Sequence, residues 1–272
     1  MALLTPPRLA SRRAVPVASG IMPDPTIPLL FTDADAMARA AAIQLLELSK
    51  AAVAERGIFT LALSGGSTPK KLYALLGKDP AFATFPWAQT HLYFGDERHV
   101  APDDAESNFR MVKESLLNSG LVPAENVHRV FAELESAAQA ASEYEAQMRR
   151  DFEDKALLDG FPRFDVVLLG MGPDGHTASL FPGSAALDEK TKWVAANWVE
   201  KFKTDRITFT FPVLDAARVV LLLVAGADKA PMIRQVIGEA RGTYPVERVQ
   251  PADGVKVWML DHAAAAELGS PK

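Results

Sequence analysis

The stretch Asp165-Val166-Val167-Leu168-Leu169-Gly170-Met171-Gly172-Pro173-Asp174-Gly175-His176-Thr177 runs from a continuous apolar segment into a glycine-rich turn carrying one acid and one histidine. A short apolar run closed by turn residues reads as a strand buried on both faces. The turn that follows such a strand is where an open α/β sheet places its ligands. The pattern recurs twice. Ile58 to Leu63 leads into Ser64-Gly65-Gly66-Ser67-Thr68-Pro69, and His91 to Phe94 leads into Gly95-Asp96-Glu97-Arg98-His99. Three strand ends therefore carry polar residues, and strand ends are what such a sheet brings together.

Working outward, Thr32 followed by Asp35 predicts a capped helix whose apolar face holds Ala36, Ala40, Ile43, Leu46 and Val53, with Gly57 ending it. Pro69 sits where a first helical turn accepts proline. Further helices are expected over 108–117 behind Ser107, over 135–152, over 228–237, and after Asp261. Strands are expected at 193–199, 218–224 and 255–260, together with an alternating segment at 206–211. This succession predicts an α/β fold: a mostly parallel, doubly wound, Rossmann-like sheet covered by helices on both faces. The alternation in 193–199 and 206–211 suits a small antiparallel edge addition.

No linker-like stretch interrupts the pattern, so residues 27–272 are expected to form a single α/β domain. Residues 1–26 read as a disordered N-terminal extension. Within them, Met1 to Pro23 holds Arg8, Arg12 and Arg13 and no acid, a composition shared with transit peptides.

The 272 residues include no cysteine, which excludes disulfides, thiolate catalysis and cysteine-ligated zinc. Such a chain is compatible with a reducing cytoplasm, the expected location. A net charge of −5 argues against gripping a nucleic-acid backbone, and no apolar run is long enough for a membrane-spanning helix. The histidines His91, His99, His128, His176 and His262 show no paired ligand spacing, so no metal is implied, and no cofactor either. A monomer or weak homodimer is expected.

Ser64 to Thr68 follows a strand and opens a helix, so its N–H groups and hydroxyls can converge on an anion. It lacks the lysine of a nucleotide P-loop and the third glycine of a dinucleotide fingerprint, so ATP and NAD fit poorly. His176 is the candidate general base, since an imidazole with a reference pKa of about 6.5 takes a proton from water near neutral pH. Gly170, Gly172 and Gly175 would let a substrate come close to it. Asp174 either orients that ring or caps a short helix. Arg98 follows a strand, Arg206 precedes one and Lys229 opens a helix. On an acidic chain they are the candidate cations for an anionic ligand. Asn108 either fixes the Asp96 loop through its amide or merely begins a helix.

In Ser64 to Pro69, Gly95-Asp96-Glu97-Arg98, Ser107-Asn108-Phe109-Arg110 and Gly170 to Pro182 (GMGPDGHTASLFP), the chain resembles the 6-phosphogluconolactonases. These stand within a wider group that includes the glucosamine-6-phosphate deaminases. The resemblance extends from about Ile27 to His262. It implies a phosphorylated sugar lactone as substrate, and a reaction that hydrolyses 6-phospho-D-glucono-1,5-lactone to 6-phosphogluconate, the second step of the oxidative pentose phosphate route. It further implies that Asp96 is an active-site acid, that the Ser64 to Thr68 turn holds a sugar phosphate, and that Arg98, Arg206 and Lys229 bind the phosphate or the developing oxyanion. The absence of a G-x-S-x-G elbow favours direct attack by water over a serine-bound intermediate. The deaminases are the nearest alternative. They carry a glutamate five residues past the histidine, where this chain has Phe181. A non-catalytic sugar-phosphate sensor is the other alternative, and it would bind without turnover.

Overall fold

The computed structural model describes residues 27–153, 155–239 and 241–268, so the extension expected over residues 1–26 lies outside them. In chain order the strands are β1 (Leu29–Phe31), β2 (Phe59–Leu63), β3 (Thr90–Phe94), β4 (Asp96–Arg98), β5 (Val127–His128), β6 (Leu157–Leu158), β7 (Phe161–Pro162), β8 (Val166–Leu169), β9 (Val194–Val199), β10 (Thr204–Phe209), β11 (Val219–Val224) and β12 (Val255–Asp261). Seven of them form one sheet in the order β1-β12-β11-β8-β2-β3-β5. Every pairing in it is parallel. β2, β8 and β11 are buried at every residue, which requires cover on both faces and explains their uninterrupted apolar sequence.

The principal helices are α1 (Ala34–Arg56), α2 (Ser67–Lys78), α3 (Asn108–Ser115), α4 (Ala137–Asp151) and α5 (Phe211–Ala216). α1 packs on α2 and α2 on α3, while α4 packs on β9 and β10. The antiparallel strands expected near 193–211 do form, but they pair with β4 as a separate three-stranded sheet, β4-β10-β9, instead of extending an edge of the main one. Gly95 joins the two sheets: its N–H donates to Leu63 O (2.9 Å) and its carbonyl accepts from Phe209 N (2.8 Å). Phe164 fills the space beside this joint, with Tyr93, Phe152 and Phe209 at ring-centroid distances of 5.2, 5.1 and 5.4 Å. Such aromatic pairs contribute about 0.5–1.5 kcal/mol each beyond their buried area.

Four expectations are corrected. The cap of α1 is Asp33 and not Thr32: its carboxylate accepts from the backbone N–H of Asp35 (2.9 Å) and Ala36 (2.8 Å). The buried face is then Met37, Ala41, Leu45 and Leu48 with their neighbours, and Ile43 is 52% exposed. Alanines on every side of this helix make its apolar stripe ambiguous. Residues 227–239 pass through a 3₁₀ turn, one α turn (Ala230–Ile233) and a π-helical segment (Arg234–Glu239), not one regular helix. From His262 to Leu268 the described chain makes turns and no helix, and the Asp261 carboxylate, accepting from Ala264 N (2.7 Å) and from Gly226 N (3.1 Å), ties this segment to the turn after β11.

The strand order places a switch at the centre. From β2 the chain moves outward to β3 and β5, whereas from β8 it moves the other way to β11 and β12. Loops leaving the C-terminal ends of β2 and β8 therefore diverge and leave a crevice between them. The two strands share only the register Leu61↔Val166 and Ala62↔Val167. Asp165 extends that contact, accepting from the Thr60 N–H (2.8 Å), the Thr60 hydroxyl (3.0 Å) and Arg56 (2.8 Å). Among the described residues no helix is long and apolar enough to cross a membrane.

Candidate active site

The crevice is a cleft of about 280 Å³, lined by the 64–69 turn, Asp96, Arg98, Asn108, the 170–173 turn, His176 and Lys229, among others. All three strand ends singled out in the sequence meet here.

After β2, Tyr73 clasps the backbone of Ser64: its hydroxyl donates to Ser64 O (2.9 Å) and accepts from Ser64 N (3.0 Å). Burial pushes the Tyr73 phenol up, so it stays a neutral donor. The Ser64 hydroxyl is buried without a hydrogen-bond partner among the described residues, in a residue that lines the cleft. Such an orphan costs stability unless a ligand satisfies it. Gly65 is required by close approach, since a Cβ there would lie 1.9 Å from Asn108 Oδ1.

After β8 the chain makes a tight turn in which Gly172 N donates to His176 O (2.9 Å) and Gly175 N to Gly172 O (3.0 Å). Gly175 has φ +75°, a conformation that favours glycine. The turn carries His176 back over Gly172 and Asp174. Asp174 Oδ1 accepts from His176 Nδ1 at 2.5 Å, and Asp174 Oδ2 accepts from Lys201 Nζ at 2.9 Å. The bond from His176 holds the Asp174 carboxyl well below the usual range, against the opposing effect of burial, and the bond from Lys201 adds to it. No helix starts here, so a capping role for Asp174 has no helix to act on. The imidazole stacks on Phe181 at 4.0 Å, so Phe181 forms an apolar wall against the His176 ring.

The junction of β3 and β4 separates two acids. Asp96 accepts from the Ser179 hydroxyl (2.7 Å), and the Asn108 side-chain amide donates to Asp96 O (2.9 Å). Asn108 thus fixes the Asp96 loop. No ion pair joins Asp96 to Arg98 among the described residues; an Arg98 guanidinium N–H donates to the Glu106 carbonyl. Glu97 is turned inward and accepts from the backbone N–H of Arg98 (2.8 Å), Asn108 (2.7 Å) and Phe109 (2.8 Å). It tethers the start of α3, where Ser107 is the N-cap. Burial pushes its carboxyl up even against those bonds.

The cations are less uniform. Arg98 and Lys229 line the cleft, and Lys229 also pairs with Asp228 at 2.9 Å. Arg98 follows β3, as expected, and itself ends a second short strand, β4. Arg206 lies within β10 and not before it, opposite Arg98 in the β4–β10 register. It is 8% exposed and does not line the cleft. Burial, with Arg98 beside it, pulls the Arg206 pKa down. Sequence reasoning missed Ser179, Glu97 and Lys201. Ser179 stood inside the quoted motif, while nothing local marks Lys201.

Residues 32–258 match the family of glucosamine-6-phosphate isomerases/6-phosphogluconolactonase. The chain belongs to this family. A 6-phosphogluconolactonase of the cyanobacterium Nostoc sp. is 40% identical over 245 residues, covering 89% of this chain and 98% of the relative. A probable chloroplastic 6-phosphogluconolactonase of Oryza sativa subsp. indica is 38% identical, covering 89% and 76%. Among solved structures of the family, 6-phosphogluconolactonase from Trypanosoma cruzi superposes with a TM-score of 0.79 at 29% identity, covering 90% and 98%. A monomeric glucosamine-6-phosphate deaminase at 18% identity and a TM-score of 0.71 shares the fold.

Proposed function

We propose that this enzyme is a 6-phosphogluconolactonase that hydrolyses 6-phospho-D-glucono-1,5-lactone to 6-phosphogluconate, with His176 as the general base. One observation carries the mechanism. Asp174 occupies Nδ1 of His176 at 2.5 Å, and no described group bonds Nε2, so the ring is held in the tautomer whose free lone pair belongs to a residue lining the cleft.

In this scheme Nε2 takes a proton from water as the water oxygen adds to the lactone carbonyl carbon. The carbonyl oxygen becomes an oxyanion, stabilised by cations and backbone N–H groups. The oxyanion collapses, the bond from the former carbonyl carbon to the ring oxygen breaks, and the imidazolium returns its proton to the departing oxygen. Asp174 stabilises the imidazolium in between. The 64–68 turn, with the orphaned Ser64 hydroxyl, receives the phosphorylated sugar together with Arg98 and Lys229, and Arg206 stands behind them, opposite Arg98 in the β4–β10 register. Asp96, held by Ser179 and Asn108, accepts from a sugar hydroxyl. Because these residues come from 64 to 229, we take 27–272 as one catalytic domain. A full set within one chain supports a monomer or weak homodimer, and the lack of cysteine supports a cytoplasmic setting.

The test generates lactone in place and follows its loss after subtraction of spontaneous hydrolysis, with glucosamine 6-phosphate as the parallel substrate. Lactone turnover that His176→Ala lowers by about 10²–10⁴-fold is expected, since that is what general-base assistance contributes. Wild-type turnover in a folded His176→Ala protein would remove the base. Turnover of glucosamine 6-phosphate, or binding of lactone without turnover, would replace the reading with one of its alternatives.

A further inference from the structure

We infer that Lys201, at the tip of the β9–β10 hairpin, is a positioning residue for the base, acting through Asp174. The inference rests on His176 being that base.

The loop of residues 200–203 closes the hairpin, with Lys203 at φ +51° making the turn. Its charges are divided. Glu200 pairs with Lys203 and accepts from the Trp198 indole N–H (2.9 Å), so the neighbouring acid is engaged on both sides. Lys201 reaches away from it and donates to Asp174 Oδ2 at 2.9 Å, across 27 residues of chain. The Asp174 carboxylate is therefore fixed at both oxygens: Lys201 holds Oδ2, and Oδ1 is left directed at His176 Nδ1.

The same tip supports the ring from a second side. Phe202 meets Phe181 edge to face at 5.8 Å, and Phe181 stacks on His176 at 4.0 Å. Adjacent residues of one hairpin thus brace the two groups that define where the imidazole lies.

The Lys201 side chain is 52% exposed and that of Asp174 28%. A half-exposed ion pair is screened and adds little to folding stability. What it does add is orientation: without it the carboxylate can rotate about its χ2 bond and loosen its hold on the ring, and a misplacement of about 1 Å in a reacting group can cost about 10²-fold. The hairpin tip carries no group that touches the substrate in this scheme, so its effect belongs in kcat and not in KM.

The experiment compares Lys201→Ala and Lys201→Arg with wild type on the lactone, with thermal melts as a check on folding. Lys201→Ala should lower kcat about tenfold, within the orientation penalty, leave KM unchanged, and melt like wild type. Lys201→Arg, which keeps a donor and charge, should recover most of the rate. In proton NMR, the far-downfield signal of the short His176 Nδ1–H to Asp174 bond should be present in wild type and Lys201→Arg and broadened or lost in Lys201→Ala. An unchanged kcat and an unchanged proton signal in Lys201→Ala would overturn the inference, as would a loss confined to KM. His176→Ala separates this from the parent reading: if it stays active, the base assignment fails; if it is inactive while Lys201→Ala is wild type, only the positioning role fails.

Discussion

Replacing Gly172 with alanine is the sharpest test of where His176 must lie. The added Cβ would stand 2.0 Å from both Cε1 and Nδ1 of His176 and 2.7 Å from Asp174 Oδ1. Ordinary contact begins at 3.4 Å, so the ring has to retreat by about 1.4 Å (3.4 less 2.0). The backbone itself can stay, because Gly172 has no positive φ and its N–H bond to His176 O is available to alanine. The ring has room to yield, since the His176 side chain is 22% exposed beside the cleft. A displacement of that size costs about 10²-fold when it moves a reacting group. Gly172→Ala should therefore lose about 10²-fold in kcat for the lactone while its melting temperature changes little.

The double variant Gly172→Ala/His176→Ala locates the effect. If the alanine acts only by displacing the imidazole, the pair should be no slower than His176→Ala alone, which is the non-additivity expected of groups in direct contact. Wild-type kcat in Gly172→Ala would refute the need for this ring position. A further 10²-fold loss on top of His176→Ala would show that Gly172 matters for another reason, such as room for the substrate.

Three other outcomes are expected. Lys229→Ala should lower kcat/KM for the phosphorylated lactone by about ten- to 150-fold, the equivalent of a hydrogen bond to a charged group of about 1.5–3 kcal/mol, and Arg206→Ala, set back from the cleft behind Arg98, should cost less. Unphosphorylated gluconolactone should be spared; equal losses on both substrates would move that cation to the oxyanion, and no loss on either would remove it from the site. Asp215, outside the cleft, has its carboxyl pushed up to about 6 by burial, against a backbone bond from Gln250 and the charges of Lys256 and Arg248. A raised acid contributes stability that is fully present below its unfolded pKa, about 3.9, and is lost as pH rises through about 6. Asp215→Asn should thus match wild type near pH 4 and exceed it at pH 8 in denaturant unfolding; an equal difference at both pH values would refute the assignment.

Much of the frame was legible because its signals are local. The runs at 59–63, 166–169 and 219–224 are apolar at nearly every residue, which only a strand covered on both faces accommodates. The short strands β1, β5, β6 and β7 were not legible, since two or three residues carry no period. β4 was hidden for a different reason: Asp96-Glu97-Arg98 has no apolar residue, and it is a strand because Gly95 hands the chain from one sheet to the other. The Ala-rich α1 misled on its face because alanine satisfies either stripe.

In the site, the same distinction between local and distant decides what could be read. His176 and Asp174 are two residues apart, so the turn that carries them also brings them together. The partners that give the pair its direction come from elsewhere: Lys201 binds Asp174 across 27 residues, and Ser179 binds Asp96 across 83. No spacing rule announces such contacts, because they follow from how the small antiparallel sheet lies beside the switch point. Phe181 shows the consequence most clearly. In the sequence it reads as the loss of an acid. In the structure it is the surface on which the His176 ring rests, with Phe202 behind it. A carboxylate there would stand in contact with the imidazole and favour its protonated form. The phenyl ring leaves Asp174 as the one carboxylate bonded to the imidazole among the described residues, the arrangement from which the proposed role of His176 is argued.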